Sequence, residues 1–101
     1  KQVLSADWVK EMSSAQVPCV PAGRNSDALP QLMKNAKKSD WLQGYGYQMW
    51  RCRHNAFRAD GAAGQYIIVI PEKNAVVATT ANIGNMQAEI DLIWKYLLPA
   101  L

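Results

Sequence analysis

The side chains that could do chemistry in this sequence are few and widely spaced. His54 is the only histidine, and the two cysteines, Cys19 and Cys52, lack the CxxC spacing of a zinc site. No serine stands in a GxSxG nucleophile elbow. These residues therefore predict neither a metal centre nor a complete catalytic set, and they imply no cofactor. The cysteines leave two possibilities open, a single disulfide or two free thiols.

One segment interleaves basic and aromatic side chains. Its members are Arg51, Arg53, His54 and Arg58 beside Tyr45, Tyr47, Trp50 and Phe57. Aromatic rings stack on bases while arginines neutralise phosphates, so a stand-alone module that binds single-stranded nucleic acid is one interpretation. We favour the other, in which these are strand residues with alternate faces buried and solvated. The net charge of +3 is small for a nucleic-acid binder, so we expect no nucleic-acid partner.

The elements that must position these residues follow from the hydrophobic pattern. Residues 1–16 predict a helix with Ser5 as its N-cap, and residues 17–43, punctuated by prolines, predict a long loop. Residues 44–82 predict three antiparallel strands, at 44–53, 65–70 and 75–81, with a turn region at 54–64 and a tight turn at 71–74. An apolar stripe over residues 85–98 predicts a closing helix.

The predicted fold class is α+β, a three-stranded antiparallel meander flanked by an N-terminal and a C-terminal helix. A helix at each end can cover one face of the sheet, which leaves the alternate Ile and Val side chains of the other face exposed. An uncovered apolar face is unfavourable, so we expect the remainder of a larger domain or another subunit to cover it. The start at Lys1, without an initiator Met, likewise predicts a piece of a longer protein. No apolar run approaches the ~20 residues of a membrane-spanning helix.

Three motifs follow one another in the second half of the chain. They are Gly44-Tyr45-Gly46-Tyr47-Gln48-Met49-Trp50, Ala59-Asp60-Gly61-Ala62-Ala63-Gly64-Gln65-Tyr66, and Val69-Ile70-Pro71-Glu72-Lys73. This succession resembles the C-terminal segment of the serine β-lactamase-like hydrolases, which include class C β-lactamases, D-alanyl-D-alanine carboxypeptidases and related esterases. The family's "GYGYxxW", "GGQYxxVxPE" and "VVVxTxN" patterns and its closing helix occur here in the same order.

The resemblance implies that residues 1–101 form the C-terminal part of a penicillin-binding-protein-like fold. The reaction it implies is acyl transfer to a serine upstream of this chain, in a bacterial esterase, amidase, β-lactamase or carboxypeptidase. The family's Ser-x-x-Lys and Tyr-x-Asn motifs are absent from residues 1–101, so we expect the isolated chain to be inert. Relatives of this kind imply a periplasmic or other extracytoplasmic location.

The family's third motif, Lys or His followed by Ser or Thr and then Gly, aligns with Ala59-Asp60-Gly61. Ala59 carries no charge and Asp60 replaces the hydroxyl residue, whereas Gly61 is kept and allows close approach of a substrate. The resemblance implies that the backbone N–H of Ala62 is one oxyanion donor. Arg58 is a candidate replacement for the missing cation. Because Asp60 would repel a carboxylate, we expect a substrate with a neutral or cationic group.

Overall fold

The computed structural model describes residues 1–18 and 34–101 of the chain. Most of the predicted loop over 17–43, including Cys19, therefore lies outside the described residues. Within them the elements are helix α1 (Ala6–Ser13), a 3-10 turn (Asp40–Leu42), strands β1 (Trp50–Arg51), β2 (Phe57–Gly61), β3 (Gln65–Ile70) and β4 (Ala75–Thr79), and helix α2 (Met86–Leu92). A π-helical turn (Ile93–Leu97) and a 3-10 turn (Leu98–Ala100) continue α2 to the end of the chain.

The N-terminal helix forms where the sequence predicts one, although it is shorter than residues 1–16. The side chain of Ser5 accepts a hydrogen bond from the backbone N–H of Trp8 at 3.1 Å, which confirms Ser5 as the N-cap. Asp7 stands in the first turn and Lys10 in the last, so both charges complement the helix dipole. The helix ends at Ser13 because Ser14 adopts an extended conformation.

The sheet has four antiparallel strands in the order β1-β2-β3-β4, within the part of the chain that the structure describes. The α+β class is confirmed, but the prediction of three strands is wrong. Strand β2 occupies residues 57–61, inside the region predicted as a turn, and pairs with both β1 and β3. The turn before it is tighter than predicted: His54 and Asn55 both adopt positive φ, 62° and 54°, as in a type I′ hairpin.

The predicted strand over 44–53 is also wrong, because this segment folds back on itself. The backbone N–H of Gly46 donates to the carbonyl of Met49 at 2.7 Å, and Gln48 adopts a φ of 62°. Only Trp50 and Arg51 then enter the sheet. The reversal brings Gly46 against the end of α1, where a Cβ would overlap the carbonyl oxygen of Met12.

Replacing Gly46 with alanine should therefore destabilise the chain by about 1–3 kcal/mol, the usual cost of overpacking. The added methyl meets backbone carbonyls, including that of Ser14 at 2.8 Å, and neither can move without displacing α1. Urea unfolding of Gly46→Ala and Gly84→Ala measures the effect, since a Cβ at Gly84 meets nothing within 4 Å. Equal midpoints for the two variants would show that the turn does not pack on α1.

One face of the sheet carries the core. Tyr66, Ile68 and Ile70 of β3 are buried in one cluster with Ile90, Ile93 and Trp94 of the C-terminal helix. The tight turn predicted at 71–74 joins β3 to β4, and the predicted antiparallel hairpin is confirmed. Asn74 closes this turn in the left-handed conformation, with a φ of 48°.

The opposite face of the sheet, here called the open face, is much less covered. Ile67 and Val76 point from it and are 53% and 63% exposed. The C-terminal end of α1 approaches this side only near β1, where the Arg51 side chain donates to the carbonyl of Ser13 at 3.1 Å. The two helices thus do not share one face of the sheet. The open face is an exposed apolar surface, as the sequence predicts.

Candidate functional site

The residues aligned with the third motif lie at the end of β2. Ala59 pairs with Ile67 and Gly61 with Gln65, so both belong to the open face, whereas Asp60 pairs with Tyr66 on the core face. Strand β1 pairs only with Phe57 and Arg58. Within residues 1–18 and 34–101, the other edge of β2 beyond Arg58 therefore has no strand partner. A free edge beside Gly61 leaves backbone groups available to a ligand.

A shallow cleft of about 490 Å³ opens beside this motif, and we call it the open-face cleft. Its lining includes Ala59, Asp60, Gly61, Ile67, Ala78 and Thr79. Most of the lining surface is apolar, and the Thr79 hydroxyl already donates to the carbonyl of Gly64 at 3.2 Å. Such a wall can hold an uncharged acyl or alkyl group.

The turn after β2 holds a strained conformation. Ala63 and Gly64 adopt φ values of 66° and 95°, and a Cβ at Gly64 would lie 2.7 Å from the Ile83 side chain. The turn is fixed from the other side by the backbone N–H of Ile83, which donates to the carbonyl of Ala63 at 3.0 Å. Ala62 is exposed and is not part of the cleft lining.

Gln65 positions this turn, a role that the sequence did not suggest. Its amide nitrogen donates to the carbonyls of Ala81 and Ala62, the latter at 3.4 Å. Its amide oxygen accepts from the backbone N–H of Ala81 at 3.3 Å. One side chain thus ties the start of β3 to the segment after β4. The glutamine of the "GGQY" pattern was the signal that could have found it.

Arg58 does not line the open-face cleft. Its side chain is fully buried, and its Nε donates to the carboxylate of Asp60 at 3.0 Å. Because this ion pair compensates the charge of Asp60, the structure does not support strong repulsion of an anion by Asp60. Nor does it place Arg58 where the motif's lysine or histidine would stand.

The remaining contacts of Arg58 hold it inside the protein. Its Nη1 donates to the carbonyls of Asp40 and Arg51 at 2.9 and 3.1 Å, and to the sulfur of Cys52 at 3.3 Å. Trp41 lies over the guanidinium, 4.5 Å from its carbon to the ring centroid. Arg58 is therefore a structural cation beneath β1, and it fixes the orientation of Asp60.

Asp40 is the second buried charge, and sequence reasoning missed it. Its carboxylate accepts from the backbone N–H and the guanidinium of Arg53, at 2.9 to 3.2 Å. It also accepts from the Gln87 amide at 2.8 Å and from the Trp94 indole at 3.1 Å. Burial raises the pKa of Asp40, but these hydrogen bonds outweigh burial and leave the pKa below its ordinary value. No local signal could have found it, because the donors come from two distant parts of the chain, the β1–β2 turn and the C-terminal helix.

Most arginines of the basic and aromatic segment already form ion pairs within the chain. Arg53 pairs with Asp40 and, at 2.6 Å, with Asp91, while Arg58 pairs with Asp60. Among the arginines that the structure describes, Arg51 is the one whose side chain bonds to neutral groups and not to a carboxylate. The aromatic rings pack on one another rather than standing in a row: Tyr45 lies 4.6 Å from Trp50, and Tyr47 lies 6.0 Å from Trp8.

The remaining candidate residues do not form a site. Cys52 is buried with a free thiol, and burial raises the pKa of that thiol. His54 packs its ring against Trp94 at 4.9 Å between centroids. Across residues 1–18 and 34–101, no three His, Cys, Asp or Glu side chains gather as a metal site would require. In the same part of the chain, no helix has the length and apolar content needed to span a membrane.

Comparison of this chain with protein families, curated proteins and solved structures returned no match.

Proposed function

We propose that this chain forms one wall of the acyl-binding site of a β-lactamase-like serine hydrolase whose nucleophile lies upstream of Lys1. The observation that carries the proposal is the position of the third motif. Ala59 and Gly61 stand on the open face, at the free end of β2, and line the open-face cleft. That is the surface on which a further part of the domain has room to pack.

The uncovered apolar face gives the proposal independent support. Ile67 lines the cleft and Val76 stands on the neighbouring strand, and each is more than half exposed. A face of this kind is unusual on a complete small protein, because its burial would contribute about 25 cal/mol per Å². In the proposed arrangement the nucleophile-bearing part of the domain packs here, and the cleft becomes enclosed.

The chemistry of the wall favours an uncharged acyl group. The position of the motif's cation is occupied by Ala59, and the nearest charge, Asp60, is paired with buried Arg58. The reaction proposed is therefore hydrolysis of a neutral ester or amide, with the N–H of Ala62, the residue next to the lining residue Gly61, as one oxyanion donor by resemblance. Each such donor contributes roughly 10²–10³ in rate.

The proposal is tested by comparing this chain with the longer product of the reading frame that encodes it. The 101-residue chain should not turn over nitrophenyl esters, whereas the longer product should, and a serine-directed inhibitor should abolish its activity. In the longer product, Ala59→Lys should raise reactivity towards anionic acyl substrates relative to neutral ones; Lys73→Gln, on the exposed β3–β4 turn, serves as control. Inhibitor-sensitive turnover by the 101-residue chain itself would overturn the proposal.

A subunit-docking module is the second candidate function, and the exposure of Ile67 and Val76 favours it. Here the open face packs on another subunit rather than on the rest of the same domain. Sedimentation of the 101-residue chain over a range of concentrations distinguishes the two. A complex that forms at micromolar concentration supports docking, whereas a monomer throughout supports the hydrolase wall.

A further inference from the structure

We propose that a second cleft, between the C-terminal end of α1 and the β1–β2 hairpin, binds a small aromatic or alkyl carboxylate. This Lys10–Arg51 cleft has a volume of about 470 Å³ and is lined by Lys10, Ser13, Ser14, Arg51, Asn55 and Phe57, among others. Clefts of ~300–1,000 Å³ are of the size that accepts small molecules. It is separate from the open-face cleft, with which it shares no lining residue.

Arg51 is held in place by neutral groups and keeps its charge for a ligand. Its two terminal nitrogens donate to the carbonyl of Ser13 at 3.1 Å and to the side-chain oxygen of Asn55 at 2.8 Å. A guanidinium carries five N–H donors, so these two bonds leave three that make no bond to the described residues. A fixed, permanently charged fork with free donors suits the two oxygens of a carboxylate.

The charges around the cleft favour an anion. Lys10 stands on the α1 side, and neither Lys10 nor Arg51 has a carboxylate within ion-pair distance among residues 1–18 and 34–101. Glu72 lies nearby but accepts from Asn55 at 3.4 Å and is not part of the lining. Two cations with no carboxylate in the lining leave a positive potential in the cleft, which Glu72 at its edge reduces but does not cancel.

Carbonyl oxygens at the C-terminal end of α1 could offset this positive potential, but they already accept hydrogen bonds. The carbonyl of Val9 accepts from the Ser13 hydroxyl at 2.7 Å, and that of Lys10 from the Ser14 backbone and hydroxyl. Ala15 and Pro71 supply exposed apolar surface in a lining that is otherwise mainly polar, whereas Phe57 is only 5% exposed. A carboxylate that also carries a ring or a short alkyl chain can pair with the cations and contact Ala15 and Pro71.

The test is a titration of the 101-residue chain with benzoate, followed by backbone amide NMR shifts at constant ionic strength set with chloride. We expect saturating shifts at Ser13, Ser14 and Asn55. Arg51→Gln should weaken binding by about tenfold or more, and Lys10→Gln by a few-fold. Lys95→Gln, a remote exposed lysine, should leave it unchanged.

Two further comparisons, one between variants and one between ligands, complete the test. Lys10 makes no side-chain hydrogen bond or ion pair with the described residues, so Lys10→Gln should keep the fold even if Arg51→Gln does not. Inorganic phosphate should bind more weakly than benzoate, since it has no apolar part to contact Ala15 and Pro71. Shifts that rise linearly with benzoate, or that are equal in Lys10→Gln and Lys95→Gln, would overturn the proposal.

Discussion

Replacing Asp40 with asparagine should lower the free energy of unfolding by about 3–5 kcal/mol, the usual result of removing one partner from a buried, hydrogen-bonded ion pair. The Asp40 side chain is fully buried and accepts from Arg53, Gln87 and Trp94. Asparagine replaces one carboxylate oxygen with an NH₂ group, which cannot accept a hydrogen bond. Buried donors that bonded to that oxygen therefore lose their acceptor. Urea unfolding at pH 7 measures the loss.

Asp91→Asn is the matched control for this change. Asp91 also pairs with Arg53, but its side chain is 52% exposed, so its removal should cost only about 0–1 kcal/mol. Similar losses of unfolding free energy in the two variants would contradict the account, because they would show that the buried Asp40–Arg53 pair stabilises the fold no more than the exposed Asp91–Arg53 pair.

The pH dependence of the Asp40 effect follows from the direction of its pKa. The folded pKa lies below the ordinary value of 3.8, so the unfolded chain takes up the proton more readily than the folded one. The difference in stability between the parent chain and Asp40→Asn should be full above about pH 5 and shrink as the pH falls further. A difference that is constant down to pH 2 would contradict the assignment.

Replacing Ile68 with alanine should destabilise the chain by about 2–5 kcal/mol. Ile68 is fully buried in the cluster that joins β3 to the C-terminal helix, so its truncation leaves a cavity. Its neighbour Ile67 has the same side chain and the same strand but points from the open face and is 53% exposed. Ile67→Ala should therefore change stability by only about 0.5 kcal/mol.

This pair also reports on the open face in solution. Thermal or urea unfolding at micromolar concentration gives both values for the 101-residue chain. A loss for Ile67→Ala as large as that for Ile68→Ala would mean that the open face is already packed against another molecule. The subunit-docking candidate would then be favoured over the hydrolase wall.

The sequence predicts best the elements whose pattern is periodic. The apolar stripe over 85–98 and the Ile and Val alternation at 65–70 and 75–81 lead directly to α2 and to the β3–β4 hairpin. The sequence pattern does not predict strand β2, because its core-facing side chains, Arg58 and Asp60, are charged. The burial of Arg58 depends on its ion pair with Asp60 and on hydrogen bonds to Asp40 and Arg51, which no hydropathy pattern reveals.

The candidate site was predicted only in part, for a related reason. Motif order identifies Ala59, Asp60 and Gly61, and these residues do line one cleft. The sequence does not reveal that Arg58 turns away from that cleft, because its position depends on hydrogen bonds to the carbonyls of Asp40 and Arg51. The contacts of Asp40 are equally absent from any sequence pattern, since its donors lie up to 54 positions from it along the chain.

The most direct test of the hydrolase proposal is to locate the adduct of a fluorophosphonate on the longer product of this reading frame. The account predicts a single modified serine, upstream of Lys1 and within a Ser-x-x-Lys sequence, with no adduct on residues 1–101. An adduct on a serine of residues 1–101, or no adduct on an intact and folded longer product, would contradict it.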